Sequence, residues 1–115
     1  MTSSWQNITG GSISLTQPGT WFVTACWDLQ SGAPSGGIYQ LLGRITAGGT
    51  VQSGTAMVYL GNSNEACITQ HYPITFAAGT VVVAMQAGYS AVAPGGNGTV
   101  VASNTSLVAC LAKAP

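Results

Sequence analysis

Few side chains in this sequence can do acid–base, metal or redox chemistry. His71 is the single histidine, Asp28 and Glu65 are the carboxylates, Arg44 and Lys113 the fixed cations, and Cys26, Cys67 and Cys110 the thiols. A catalytic imidazole needs a group to orient it and a nucleophile in reach. Gln70 and Tyr72 beside His71 offer no acid, and Glu65 is six residues away. His71 therefore reads as a surface or interface residue. Asp28 and Glu65 fall in different strand regions, so no glycosidase-like pair is expected. Three copies of either carboxylate on a symmetry axis could hold a hard cation, but such ions favour richer oxygen ligation. Gly-x-Ser-x-Gly, the nucleophile elbow, is absent. Asp28 reads as a strand end, and Arg44 as a partner for Asp28 or Glu65 of a neighbouring chain, worth little unless buried. No catalytic residue, metal or cofactor is expected, and the chain reads as non-enzymatic.

The cysteines are odd in number and widely spaced, with no CxxC and no Cys/His pair at metal-ligand spacing. They read as free, buried thiols made in a reducing cytoplasm; a Cys26–Cys110 or intersubunit bridge is the alternative. Tyr39, Tyr59, Tyr72 and Tyr89 could stack on sugars, but aromatic residues also anchor protein interfaces, and without a pattern the interface is favoured.

These groups must be positioned by a chain of 115 residues, enough for one domain. Hydrophobic residues make up 46% and charged residues only 3%, where about 25% is usual. The formal net charge is zero, so colloidal repulsion is weak, as suits a protein packed in a symmetric assembly. Two basic residues cannot neutralise a phosphate backbone, which argues against nucleic acid. No apolar run reaches the roughly 18 residues that span a bilayer. Met1-Thr-Ser-Ser-Trp-Gln has neither a basic nor an apolar signal region, so no signal peptide is expected and the sequons at Asn7, Asn97 and Asn104 are read as idle.

The strongest local pattern is Leu15 to Asp28. Pro18-Gly19 signals a turn. After it, Trp21, Val23, Ala25 and Trp27 share one face at period two, and Phe22, Thr24, Cys26 and Asp28 share the other. The first face is fully apolar and reads as core. The second still carries Phe22 and Cys26, where a strand facing water shows a cleaner polar row, so a partner chain is expected to cover it. Other strands are predicted at 13–15, 38–46, 55–60, 66–76, 80–87, 99–102 and 106–112. Pro73 implies an edge position or a bend. Residues 1–11 form an N-terminal arm or a short first strand, and residues 12–115 a single domain. No helical period appears. The predicted fold is all-β: an antiparallel β-sandwich jelly roll of eight to ten short strands.

The order of these signals resembles a known family. Ile13-x-Leu15-x-x-Pro18-Gly19-x-Trp21-Phe22-Val23 resembles the early strand pair of the TNF-like (complement globular-head) jelly roll. Phe76-Ala-Ala-Gly79-Thr-Val-Val-Val resembles that family's step into its late central strand, with Thr80 in place of an acidic residue. Ser103-Asn-Thr-Ser-Leu107-Val-Ala-Cys-Leu111 resembles its closing strand, without most of its aromatic residues. The resemblance implies a ten-strand sandwich that assembles as a homotrimer. It would turn Phe22, Thr24, Cys26, Val108, Cys110 and Ala112 toward neighbouring subunits, and place Trp21, Val23, Trp27, Leu107, Ala109 and Leu111 in the core.

Trimeric jelly rolls of this kind occur in bacteriophage virions, and this small Gly/Thr/Ala-rich chain is similar to those. The expected function is a capsid decoration protein, made in the host cytoplasm and resident in the virion, with the major capsid protein or another virion protein as partner. The alternatives are a receptor-binding tip of a phage fibre and a cellular carbohydrate- or ligand-binding module. A fibre tip calls for a shaft or anchor, and none is visible ahead of Trp5 and Ile8. Those two residues are the expected contacts to the shell or to a neighbouring subunit.

Overall fold

A computed structural model describes residues 5–31, 39–52, 54–60, 65–91 and 98–114. Among them are nine strands and a single 3-10 turn, Ala102–Asn104. The strands are β1 (Gln6–Leu15), β2 (Gly19–Ser31), β3 (Tyr39–Ala47), β4 (Thr50–Val51), β5 (Ala56–Leu60), β6 (Glu65–Phe76), β7 (Val81–Ala91), β8 (Gly98–Val100) and β9 (Ser106–Lys113). They form two antiparallel sheets around a shared core, a β-sandwich.

In the first sheet β7 lies between β1 and β3. β5 and β4 line the far side of β3 in turn, opposite residues 39–43 and 46–47. The second sheet is built on β2. One side of β2 pairs with β6 along almost its whole length, from Gly19↔Phe76 to Gln30↔Glu65. The other side pairs with β9 over Thr20–Cys26 and with β8 over Leu29–Ser31. The 3-10 turn fills the gap between β8 and β9. Among the described residues β6 pairs only with β2, so Pro73 sits on an edge strand, where a missing N–H is tolerated.

Period-two patterning sorts the faces as expected. Val23, Ala25, Trp27 and Leu29 of β2 point inward and meet Leu15 of β1, Leu41 and Ile45 of β3, and Val83, Met85 and Ala87 of β7. Trp27 spans the core. Its ring lies on Gly43 of β3, where a Cβ would come within 2.8 Å of ring carbons Cδ2 and Cε2. Its indole N–H donates to the Gln86 carbonyl of β7 at 3.1 Å. Gly19 has φ 139°, and a Cβ there would collide with the Lys113 carbonyl.

Two expectations need correction. Trp21 shares the inward face but is only half-buried, at the rim, where its indole N–H donates to the Gln17 carbonyl at 2.9 Å. Leu111, also expected in the core, is 36% exposed because it lies across from Trp21 at the same rim. Separately, the first strand starts at Gln6 rather than at Ile13. Its alternation is hidden by an irregularity: the register with β7 shifts between Asn7 and Ser12, with Gly10 at φ 76°.

Trp27→Ala should cost roughly 3–5 kcal/mol, as for a fully buried aromatic, and Trp21→Ala clearly less. Gly43→Val, which drives a branched side chain against the indole, should cost about 1–3 kcal/mol by overpacking. Urea denaturation measures all three; equal losses at Trp21 and Trp27 would contradict this placement.

Candidate functional site

The outer face of the second sheet collects most of the side chains singled out above. Along β2 it presents Thr20, Phe22, Thr24, Cys26, Asp28 and Gln30. On β6 their register partners are Thr75, Pro73, His71, Thr69, Cys67 and Glu65. On β9 Cys110 lies opposite Phe22, Val108 opposite Thr24 and Ser106 opposite Cys26. Phe22, Thr24, Cys26, Val108 and Cys110, expected at an interface, therefore form one contiguous strip. Ala112 is exposed at the end of β9, where the register with β2 shifts. Phe22 and Val108 are 59% and 52% exposed, and with Pro73 they make an apolar patch open to solvent.

All three thiols lie on this face, which revises their expected burial. Cys67 and Cys110 are exposed and Cys26 is half-buried, and each is free. They alternate outward because the inward positions beside them belong to Ile68, Ala109 and Trp27. Partial desolvation against the sheet, then the Asp28 charge, then Cys26 push the Cys67 thiol above its ordinary range.

Asp28 departs most from expectation. It does not end the strand; β2 runs on to Ser31. It is only 2% exposed, because the segment between β8 and β9 closes over it. Its backbone N–H donates to Thr105 Oγ1 at 3.0 Å, and Thr105 Oγ1 donates to the Val101 carbonyl at 2.9 Å. The Asp28 carbonyl accepts from the Val101 N–H at 2.8 Å, and Asn104 Nδ2 donates to Asp28 Oδ2 at 2.9 Å. Oδ1 is buried with no donor.

Glu65 stands beside it. Asp28 pairs in register with Cys67, and Glu65 is the next outward residue on β6. The two carboxylates that looked remote in sequence are thus neighbours on adjacent strands. As ionised groups neither can donate to the other. A hydrogen bond from protonated Glu65 to Asp28, followed by the like charge of Asp28 and partial desolvation, raises Glu65 above its ordinary 4.5.

The other candidates sit elsewhere or in simpler settings. His71 Nδ1 shares a hydrogen bond with Thr24 Oγ1 at 3.0 Å on the open face. Arg44 lies on the opposite sheet, where its Nε donates to Gln86 Oε1 at 2.7 Å and Gln86 Nε2 donates to Asn7 Oδ1 at 2.9 Å. Trp5 lies under the Arg44 guanidinium, 4.1 Å from ring centroid to Cζ. Trp5 and Ile8, expected to reach another molecule, are half-buried here, Ile8 against the core. Tyr72 is half-buried on the inner side of β6. The side chains of Tyr39, Tyr59 and Tyr89, and all of Asn97, lie outside the described residues. Among the described residues no group of three or more His, Cys, Asp or Glu side chains is placed to hold a metal ion. A cleft of about 340 Å³ between β1 and β8 is lined by Gln6, Asn7, Ile8, Thr9, Thr99 and Val100 among others, with no charged or aromatic side chain among the described residues.

Sequence reasoning missed the contribution of β6 to this face. The signal was present: Glu65, Cys67, Thr69, His71, Pro73 and Thr75 alternate with Ala66, Ile68, Gln70, Tyr72, Ile74 and Phe76. Only the pairing with β2 shows that this row extends the Phe22 face. No protein-family model and no curated protein matches the chain.

Because the native state holds the Glu65 proton more tightly than the unfolded chain does, Glu65 should weaken folding as pH rises from about 4.5 through its raised value. Below that window the contribution is fully present. In urea titrations between acid and neutral pH, Glu65→Gln should gain stability relative to the parent as pH rises. A pH-independent difference between the two would contradict the contact with Asp28.

Proposed function

We propose that this chain is a non-enzymatic structural protein that self-associates through the outer face of the β6-β2-β9 sheet, as a homotrimer decorating a bacteriophage capsid. The observation that carries it is the open patch of Phe22, Val108 and Pro73 on a chain with four charged residues in all. Apolar surface rimmed by polar groups marks interaction sites, and interfaces between permanent partners resemble a core cut in half. Around the patch stand hydroxyls, an imidazole and thiols, which complete a contact through hydrogen bonds rather than ion pairs.

The threefold symmetry and the virion setting come from the family resemblance. The self-contact needs the exposed sheet face, whichever way the strands are connected. On a capsid, three equivalent weak contacts per trimer would add through multivalency. With so little charge, adhesion should depend only weakly on salt.

Sedimentation velocity at micromolar concentration should show a trimer for the parent chain. A Phe22→Ser/Val108→Asn double variant should sediment as a folded monomer, because both substitutions lie outside the core. Cys110, opposite Phe22, should react slowly with a thiol reagent in the assembly and quickly in the monomeric variant. A parent chain that remains monomeric would end the self-association reading. Purified particles carrying a few copies at a tail rather than many over the shell would replace decoration with receptor binding.

A further inference from the structure

We propose that His71 makes self-association through the β6-β2-β9 face sensitive to acid: copies join with the imidazole neutral and come apart as it takes up a proton. This rests on the reading of that face as the self-interface. His71 is exposed on β6, in register with Thr24 of β2, and Thr24 has Val108 of β9 on its other side. The next outward row along the face is Pro73, Phe22 and Cys110. The imidazole therefore stands in the apolar patch itself.

Distances along the sheet place it well inside the contact. Adjacent strands are about 4.8 Å apart, and successive outward residues on one strand about 6.6 Å. His71 is thus roughly 8 Å from Phe22, its diagonal neighbour, and roughly 10 Å from Val108. A standard interface covers about 800 Å² per partner, a disc roughly 30 Å across. Centred on Phe22, such a disc takes in His71, Pro73, Val108 and Cys110.

In the separate protomer both charge states of the ring are accommodated. Thr24 Oγ1 lies 3.0 Å from Nδ1, and a hydroxyl can donate to a bare ring nitrogen or accept from a protonated one. Water solvates the charge on the exposed ring. Under a second copy the imidazolium loses that water, and burying an unpaired cation is costly. Nothing described beside the ring offsets it. Its outward neighbours are Thr69 and Pro73 on β6 and Phe22, Thr24 and Cys26 on β2. Cys26, and Cys110 on β9, are thiols, which supply no negative charge in acid. Tyr72 adjoins it in sequence but packs inward, and β5, packed against β6, has no charged residue. Asp28 is four residues past Thr24 along β2, about 13 Å, and Glu65 six residues from His71 along β6, about 20 Å, at roughly 3.3 Å per residue. Lys113, opposite Thr20, has the same sign as the imidazolium. Arg44 is on the other sheet, engaged with Gln86 and Trp5. The assembled state thus binds fewer protons than the separate chains. Association is tightest where the imidazole is neutral and weakens as pH falls through the range in which histidine titrates.

The test is the association constant of the full chain, from sedimentation velocity between mildly alkaline and mildly acidic pH. Parent, His71→Asn, His71→Gln and Glu65→Gln chains are compared, with circular dichroism confirming the fold of each at each pH. The parent's constant for adding a protomer should fall on acidification, by at most about tenfold per pH unit for one proton excluded. His71→Asn should be nearly flat, because an amide can keep the bond to Thr24 and never charges; His71→Gln serves if the shorter amide does not fold. Glu65→Gln should keep the parent's slope. A parent affinity that ignores pH or rises in acid, or a folded His71 variant with the parent's slope, overturns the proton linkage and leaves the interface standing. Loss of the slope in Glu65→Gln overturns the assignment to His71 as well. A parent chain that is monomeric at every pH overturns both the linkage and the interface.

Discussion

Trp27 is the side chain through which the two sheets become one body. It rises from the middle of β2, lies flat on Gly43 and ties its ring nitrogen to the backbone of β7. Three strands from two sheets are fixed relative to one another by that single ring. A side chain at position 43 would push the sheets apart or tilt the indole off its acceptor. The smaller core residues, from Leu15 to Met85, fill in around this spacing. Every other property of the fold, including which face of β2 remains open, depends on Trp27 pointing inward.

A strand has two faces, so orienting Trp27 inward necessarily turns Phe22, Thr24, Cys26 and Asp28 outward. Had β2 carried charges there, the face would be ordinary solvent surface. It carries a phenylalanine instead, and β6 and β9 extend the row with Pro73, Cys110 and Val108. The chain has almost no charge elsewhere to keep such a surface apart from copies of itself. Poverty of charge and an open apolar strip are two aspects of one condition, and the proposed self-association follows from both.

Asp28 is the exception on that face. The segment between β8 and β9 covers it while satisfying one of its two carboxylate oxygens. Buried polar atoms are ordinarily paired because leaving them unpaired costs roughly 1–3 kcal/mol. Among the described residues Oδ1 has no hydrogen-bond partner. Asp28 in turn raises the pKa of Glu65, first through a hydrogen bond to its protonated form and then through like charge, which makes this end of the face sensitive to pH.

Most of the strands and the inward face of β2 were legible in the sequence, because period-two alternation and Pro/Gly turn signals act over a few residues; the two-residue β4 and the extension of β7 to Ala91 were not. Val23 and Trp27 were readable as core, and Phe22 and Cys26 as a second apolar face, from β2 alone. The long first strand was not, because a register shift near Gly10 interrupts its period. Nor was the rim position of Trp21, since burial depends on what lies opposite as well as on direction. Which strand lies beside β2, and hence that Glu65 stands next to Asp28 and that the thiols share one face, is a matter of pairing between residues far apart in sequence. Local propensity carries no record of that partner. Only the closing of β6 and β9 onto the two sides of β2 brings these groups together.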